Sequence, residues 1–191
     1  MNRKLMRWTL LGLIALVALA ALAPALLKTA GITITSSTDA GTRKATATLT
    51  NGWCKANGVA IVVDFGAGSG KPAVIKCLSG FRGTGWQALQ QAGLDPQGTQ
   101  QFAVGFVCRL ADFPPQSRQD CTKTPTYAQG VWNYYIAGPK TGNNWMFSGA
   151  GAASREPECG AVEGWVFTTE ADGGSRNGPS TMPQTRICDS K

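Results

Sequence analysis

Six cysteines constrain the fold of this chain more strongly than any other feature of its sequence. An even number of cysteines in a chain that carries an export signal is typical of disulfides formed in an oxidising compartment. Zinc binding is disfavoured, because the sequence contains neither a CxxC motif nor any histidine. Several pairings are formally open, and the spacing favours sequence neighbours: Cys54 with Cys77, Cys108 with Cys121, and Cys159 with Cys188.

Residues 1–30 carry the pattern of a signal peptide or an N-terminal membrane anchor. Arg3, Lys4 and Arg7 precede an uncharged, largely apolar stretch over residues 8–27. A stretch of this length is also sufficient to span a bilayer as a helix, so cleavage and retention both stay open. In either case the positive-inside rule places the rest of the chain outside the cytoplasm. We therefore predict an extracellular protein, either secreted or held at the outer face of the cytoplasmic membrane, that meets the membrane only through this segment.

The charge of the remaining chain does not favour nucleic acid as a partner. The whole sequence has 18 basic and 11 acidic residues, for a formal net charge of +7. Arg3, Lys4, Arg7 and Lys28 precede the first acidic residue, Asp39, so the remainder carries 14 bases against 11 acids, or +3. Such a small excess, spread along the chain, is typical of an ordinary solvated surface.

Short apolar and alternating stretches predict a fold rich in β-strands. The predicted strands cover residues 45–50, 58–65, 72–77, 102–110, 131–137, 144–149 and 162–167. With one short helix, they predict an α+β fold in which the helix packs on a mostly antiparallel sheet. We expect residues 31–170 to form a single disulfide-stapled domain. Residues 171–191 are polar and rich in glycine and proline, which predicts a loose tail tied down only by Cys188.

The predicted helix covers residues 84–94, TGWQALQQAGL. Thr84 is suited to the N-cap and Gln87, three residues later, to the capping box that satisfies the first backbone N–H groups. Gly93 is suited to the left-handed residue that ends a helix. We expect the apolar side chains of this helix, such as Trp86, to face the core.

The aromatic stretch WNYYIAGPKTGNNWMF, residues 132–147, divides into two faces when it is read as strands. Alternation places Trp132, Tyr134 and Ile136 on one face, which is the more apolar and is predicted to face the helix. Tyr135 falls on the other face. Truncating Trp132 to alanine is therefore predicted to cost more stability than truncating Tyr135.

A second group of residues is predicted to contact a ligand, because it combines flat aromatic rings with nearby amides. Its aromatic members are expected to share one side of the sheet, and Trp145 follows a loop of glycine, proline and asparagine, where binding groups often lie. The group comprises Tyr135, Asn143, Asn144, Trp145 and Trp165.

Two carboxylates, Asp64 and Glu163, lie inside strand-like stretches. Facing one cleft, such a pair would suit a glycoside hydrolase. The favoured interpretation is that Asp64 hydrogen-bonds the turn that follows it and that Glu163 lies on a solvated face. Since the chain has no histidine and its cysteines are expected to be oxidised, the usual base and nucleophile are missing. We expect no catalytic residues and no cofactor.

The order of five segments resembles a known family. GWQALQQAGL, GFVCRL, VWNYYIAG, NNWMFSGAGA and GAVEGWVF follow one another within about residues 58–168. This order is similar to the transcobalamin-like C-terminal domain family, exported actinobacterial type, in which an "aLxxaG" helix precedes a "yWxyyvnG" strand and a closing "GdxieWxy" strand. The resemblance implies a β-grasp-like fold. In members of that family the domain lies over the corrin ring of cobalamin, which makes cobalamin a candidate ligand.

These observations favour a non-enzymatic extracellular binding module, for a corrinoid or another small planar ligand or for a cell-surface protein. The alternative is a carbohydrate or cell-wall binding protein, because flat aromatic rings beside Asn143 and Asn144 suit the faces of sugar rings. A hydrolase using Asp64 and Glu163 is the least favoured function.

Overall fold

The structure of the protein, a computed structural model, describes residues 47–173 and 177–188. The predicted signal peptide or anchor, residues 1–30, lies outside the described residues. Within residues 47–173 and 177–188, no helix combines the length and the apolar character needed to cross a membrane.

The described residues contain six strands, one α-helix and two single-turn 3-10 helices. The elements are β1 (Thr48–Asn51), β2 (Gly58–Asp64), β3 (Val74–Ser79), α1 (Gly85–Gln91), β4 (Val131–Gly138), β5 (Gly142–Phe147) and β6 (Val162–Thr168), with 3-10 turns at Ala67–Ser69 and Glu170–Asp172. Six of the seven predicted strands and the predicted helix are confirmed, with small shifts in their ends.

All six strands form one sheet in the order β1-β3-β2-β6-β4-β5. Every neighbouring pair is antiparallel except β2 and β6, which run parallel at the centre of the sheet. The α+β prediction, one short helix with a mostly antiparallel sheet, is confirmed. The parallel pair has a further consequence, because it brings the carboxyl ends of β2 and β6 together, with Asp64 opposite Val166.

The helix begins and ends where its local sequence predicts. The Thr84 hydroxyl accepts a hydrogen bond from the backbone N–H of Gln87 (3.3 Å), and the Gln87 side-chain oxygen accepts one from the backbone N–H of Thr84 (3.0 Å). This is the predicted capping box. Gly93 adopts a left-handed φ of 69°, which ends the helix.

One face of the sheet, here called the helix face, carries the larger hydrophobic core together with α1. Trp132 and Tyr134 of β4 lie in this core, with 6% and 7% of their surfaces exposed, and the prediction for these two residues is confirmed. The main sheet and helix contributors to the core are Val59, Ile61, Val63, Leu78, Trp86, Leu89, Trp132, Tyr134, Trp165 and Phe167.

The opposite face, here called the tail face, carries a smaller buried cluster around the Cys54–Cys77 disulfide. Ala60 and Val62 of β2 belong to it, and Trp145 of β5 packs against it. Both faces of the central strands are therefore covered, which is why every residue of β6 is buried.

The predicted strand over residues 102–110 is wrong. Only Arg109 and Leu110 of that segment make β-bridges, and their partners Gln97 and Phe113 belong to the same irregular region. The Arg109 side chain is buried and donates to the backbone carbonyl of Pro114 (2.8 Å) and to the side chain of Gln97 (2.7 Å). These contacts within the loop replace a strand ladder, although the β-branched and aromatic residues of the segment have strand propensity.

All three predicted disulfides are present, each between sequence neighbours: Cys54–Cys77, Cys108–Cys121 and Cys159–Cys188. The described part of the chain has no free cysteine. Three disulfides indicate an oxidising, extracellular environment, as predicted.

Removing the central disulfide with Cys108→Ser/Cys121→Ser is expected to lower the free energy of unfolding by about 3 kcal/mol. The physical reason is that this bond closes a short loop without regular strands, so its loss mainly frees the unfolded chain. Urea unfolding of the double variant beside the wild-type chain measures the effect. A change below about 1 kcal/mol would show that contacts around Arg109, rather than the crosslink, hold the loop.

Candidate functional site

The structure separates the residues that the sequence grouped as one contact surface. Backbone register places Trp165 opposite Tyr134, and Tyr135 opposite Gly164, on neighbouring strands β6 and β4. Directly opposed residues point to the same face of a sheet, so Trp165 lies on the helix face with Tyr134 and not with Tyr135. The prediction that Tyr135, Trp145 and Trp165 share one side of the sheet is therefore wrong.

Trp165 is a core residue. Only 4% of its surface is exposed, and its ring stacks on that of Tyr134 with centroids 4.4 Å apart. The solvated face predicted for Glu163, which Trp165 shares, is not found on β6, because buried clusters cover both sides of this strand. Trp165 therefore exposes almost none of its surface, although it forms part of the wall of a small cleft of about 220 Å³ together with Trp132 and Tyr134.

Tyr135 lies on the tail face and is also buried. It is 2% exposed, and the edge of its ring meets that of Phe147 with centroids 5.4 Å apart. Its burial matches that of Trp132, so the structure gives no reason to expect a milder effect from Tyr135→Ala than from Trp132→Ala. The exposed aromatic of this pair is Phe147, which sequence reasoning had not singled out.

Trp145 also lies on the tail face, where it holds the C-terminal segment. Its indole lies between two glycines: a Cβ atom added at Gly164 would lie 2.5 Å from Cζ3, and one added at Gly178 would lie 2.6 Å from Cγ. The indole Nε1–H donates a hydrogen bond to the carbonyl of Thr181 (3.0 Å). The ring predicted to contact a ligand therefore contacts the chain itself.

Two further side chains hold the same segment, here called the tail (residues 177–188). Asp64 Oδ2 accepts hydrogen bonds from the backbone N–H (2.7 Å) and the hydroxyl (2.6 Å) of Ser180. Asn143 Oδ1 accepts from the backbone N–H (3.0 Å) and the hydroxyl (2.9 Å) of Thr185. The prediction that Cys188 alone ties down this segment is wrong, since residues on β2 and β5 also bind it.

Asp64 also performs its predicted local role. Its second oxygen, Oδ1, accepts the backbone N–H of Gly66 (2.9 Å) in the turn that follows β2. Partial burial acts to raise the pKa of Asp64, but the hydrogen bonds from Ser180 and Gly66 outweigh it and hold the pKa below the ordinary value. The carboxylate is therefore ionised at neutral pH and accepts hydrogen bonds from Gly66 and Ser180.

Asn144 is the remaining residue of the predicted group. It alternates with Asn143 and Trp145 along β5, so it lies on the opposite side of the strand, and it is exposed. The predicted group thus divides into a tail-binding pair (Asn143 and Trp145), two buried aromatics and one exposed amide.

Glu163 is not on a solvated face, as the sequence suggested, but buried on the helix face with 1% of its surface exposed. The Tyr134 hydroxyl donates to its Oε2, and Arg155 Nε donates to its Oε1 at 3.3 Å. Burial raises the pKa of Glu163, and the hydrogen bond from Tyr134 and the charge of Arg155 offset only part of that rise. Burial and the adjacent carboxylate likewise raise the pKa of Tyr134.

Asp64 and Glu163 do not form a catalytic pair. In the parallel register of β2 and β6, Glu163 lies opposite Ile61 of the helix-face core, three residues from Asp64 along β2. An odd separation along a strand places side chains on opposite faces. The two carboxylates consequently face different sides of the sheet, and the hydrolase hypothesis based on this pair loses its structural basis.

A cleft of about 760 Å³ opens where β2 and β6 end. We call it the polar cleft. The turn after β2, the end of β6 and the start of the tail line it, and its polar side chains are Asp64, Lys71, Thr168, Asp172, Asn177 and Ser180. Sequence reasoning had noted only Asp64 of these. The glycine-rich turn GAGSGK directly after a buried strand was the available signal.

Lys71 supplies the cationic group of the polar cleft. Its ammonium lies 5.1 Å from the ring centroid of Phe65 and 5.5 Å from that of Phe113, which are favourable cation–π distances. The rings orient an otherwise exposed side chain at the rim of the cleft.

Among the described residues, no cluster of histidine, cysteine and acidic side chains could hold a metal ion. Comparison with known proteins finds no matching family model, no matching curated protein and no matching solved structure. The transcobalamin-like assignment stays a prediction based on sequence motifs.

Proposed function

We propose that this chain is a non-enzymatic extracellular binding module that takes a small polar ligand in the polar cleft. The observation that carries the proposal is the convergence of polar side chains in a cleft of about 760 Å³, a volume within the range of roughly 300–1,000 Å³ typical of small-molecule sites. Its polar groups come from three separate parts of the fold: Asp64 ends β2, Thr168 ends β6, and Ser180 belongs to the tail.

The position of the cleft supports a binding role. In open α/β sheets, ligands commonly bind in the crevice outside the carboxyl ends of the parallel strands, and the single parallel pair of this mostly antiparallel sheet offers a comparable place. β2 and β6 are the parallel pair here, and the cleft opens at their carboxyl ends. The turn between β2 and β3 and the start of the tail both contribute to the lining of the cleft.

The lining favours an uncharged ligand with many hydroxyl groups. Charges of both signs, from Lys71 and from Asp64 and Asp172, lie around the cleft together with amide and hydroxyl groups. Because Asp64 already accepts hydrogen bonds from Ser180 and Gly66, it adds little attraction for a cation. A carbohydrate of the cell wall or cell surface therefore suits the cleft best.

The corrinoid and surface-protein alternatives stay predictions. The prediction of a planar ligand rested on three flat aromatic rings, but Tyr135 and Trp165 are buried and the tail covers Trp145.

A β-grasp-like fold, which the family resemblance implies, has support in the topology. Two antiparallel hairpins, β2–β3 and β4–β5, flank the last strand β6, which lies parallel to β2.

The test is an NMR titration of the isotope-labelled chain with soluble cell-wall oligosaccharides and, separately, with cobalamin. We expect oligosaccharides to shift the backbone resonances of Lys71, Thr168 and Ser180. Lys71→Ala is expected to weaken binding about tenfold, or about 1.4 kcal/mol, because it removes the only cation of the cleft lining described here. Lys55→Ala is the matched control, since Lys55 is an exposed lysine outside the cleft.

Two results would contradict the proposal. Saturable cobalamin binding without any response to oligosaccharides would show that the ligand is a corrinoid rather than a carbohydrate. Hydrolysis of a tested glycan that is lost in Asp64→Asn or Glu163→Gln would show that the module is an enzyme.

A further inference from the structure

Three aromatic rings of the helix face border a second cleft, here called the aromatic cleft. Its volume is about 220 Å³, and Trp132, Tyr134 and Trp165 form part of its wall. None of the residues that line it also lines the polar cleft. The two clefts are therefore separate places on the molecule.

The aromatic wall is held in place by the fold. Tyr134 and Trp165 lie opposite each other on the paired strands β4 and β6, and their rings stack with planes 12° apart. Trp132, Tyr134 and Trp165 are 6%, 7% and 4% exposed, so each ring is packed on nearly all sides. A wall that is already ordered adds little entropy cost when a ligand binds.

Two glycines on separate loops leave the aromatic cleft open. Gly105 lies in the irregular region between α1 and β4, and Gly151 lies in the connection between β5 and β6. Both are exposed, and a Cβ atom added at Gly151 would lie 3.6 Å from the carbonyl oxygen of Gly105. A larger side chain at either position would therefore occupy space that glycine leaves free.

The lining of the aromatic cleft favours an uncharged ligand. Among the described residues, those that line it carry no formal charge. Its polar side chains Asn133 and Ser148 are already engaged: Asn133 donates to the Thr168 hydroxyl (2.6 Å), and Ser148 donates to the carbonyl of Ala150 (2.7 Å). Moving a charged group into such surroundings without a partner is costly.

The wall offers one uncommitted donor. The Tyr134 hydroxyl donates to Glu163, and the Trp132 indole N–H donates to the carbonyl of Phe113 (3.2 Å). The described part of the chain provides no acceptor for the indole N–H of Trp165. Because leaving a nearly buried donor unpaired is unfavourable, a ligand that brings an acceptor to Trp165 gains affinity.

We propose that the aromatic cleft binds a free small molecule that has one uncharged aromatic ring and a hydrogen-bond acceptor. The volume of about 220 Å³ suits a single ring, since an apolar cavity of about 150 Å³ takes up benzene. Tryptophan and tyrosine walls favour an aromatic ring, because aromatic pairs gain energy beyond the burial of their surface. This site is additional to the polar cleft and does not depend on it.

The test is an NMR titration of the full isotope-labelled chain with acetophenone, an uncharged aromatic ketone. We expect saturable shifts of the indole N–H signals of Trp132 and Trp165, whereas the amides of Lys71 and Ser180 at the polar cleft do not respond. Benzoate, which has the same ring but a negative charge, is expected to bind at least tenfold more weakly. No saturable shift of the two indoles, or equal affinity for benzoate, overturns the proposal.

A substitution at the opening checks where the ring binds. Gly151→Val is expected to weaken acetophenone binding at least tenfold, because its side chain narrows the cleft opposite Gly105. Gly138→Val is the matched control and leaves affinity unchanged, since Gly138 borders neither cleft and a Cβ atom added there meets nothing within 4 Å.

Gly105→Val provides a second blocking variant if Gly151→Val fails to fold. A Cβ atom added at Gly105 meets only the side chain of Phe102, at an ordinary contact distance of 3.9 Å, so the backbone tolerates it. The same loss of at least tenfold is expected, because the valine enters the cleft from the other side. Wild-type affinity in a folded blocking variant overturns the proposal.

Discussion

Replacing Trp165 by alanine is expected to lower the free energy of unfolding by about 3–5 kcal/mol, the usual cost of removing a large aromatic side chain from a core. Trp165 is 4% exposed and stacks on Tyr134, so its loss leaves a cavity in the helix-face core and removes a ring contact. Its neighbours Val63 and Tyr134 are held by strand pairing and cannot easily fill the space.

Urea unfolding monitored by far-UV circular dichroism measures this loss. Phe147→Ala is a suitable control, because Phe147 is an aromatic residue of the same sheet with 64% of its surface exposed, and we expect it to cost less than about 1 kcal/mol. If Trp165→Ala left stability unchanged but abolished ligand binding, Trp165 would be a ligand contact and its place in the core would be wrong.

Replacing Glu163 by alanine is expected to cost about 3 kcal/mol, at the lower end of the range for breaking a buried ion pair. The change leaves the buried Tyr134 hydroxyl and the Arg155 guanidinium without their acceptor. The lower end applies because the Arg155 side chain is 23% exposed and regains some hydration. Equilibrium unfolding at neutral pH provides the measurement, with Glu156→Ala, an exposed glutamate nearby in sequence, as the control.

The same carboxyl is expected to make stability depend on pH. Because the folded pKa of Glu163 lies above its ordinary value of 4.5, the folded protein keeps a proton that the unfolded chain has already released. The contribution to stability is therefore fully present below about pH 4.5 and is lost as the pH rises through the folded pKa. Glu163→Gln, which does not titrate, is expected to remove this decline from unfolding free energies measured as the pH is raised from below 4.5. A decline that persists in Glu163→Gln would assign it to another group.

Local sequence patterns accounted for the elements that depend on near neighbours. The capping box of Thr84 and Gln87 and the stop at Gly93 were readable because the bonds involved join residues a few positions apart. Alternation likewise placed Trp132 and Tyr134 on the helix face, since a strand's two faces follow from its own sequence. Cysteine spacing indicated the three disulfides for a similar reason, as each joins neighbours along the chain.

Alternation does not say which faces of different strands coincide. Tyr135 and Trp165 each belong to a predicted strand, yet only the register between β4 and β6 shows that they point to opposite sides. The polar cleft likewise depends on how the strands pair, because it forms only when the parallel pairing of β2 and β6 brings their ends together. The strand propensity of residues 102–110 was overridden by side-chain contacts of Arg109 with nearby residues of the same irregular region.

The sequence by itself therefore determined the compartment indicated by the cysteines, the α+β class, the helix ends and the inward side of β4, all of which rest on local periodicity or spacing. Only the tertiary structure decided whether the tail is loose or ordered. Its glycines, prolines and hydroxyl residues have the composition of a loose segment. They are ordered because Asp64, Asn143 and Trp145 converge on them from strands far away in the sequence, and such long-range convergence leaves no periodic trace in the chain.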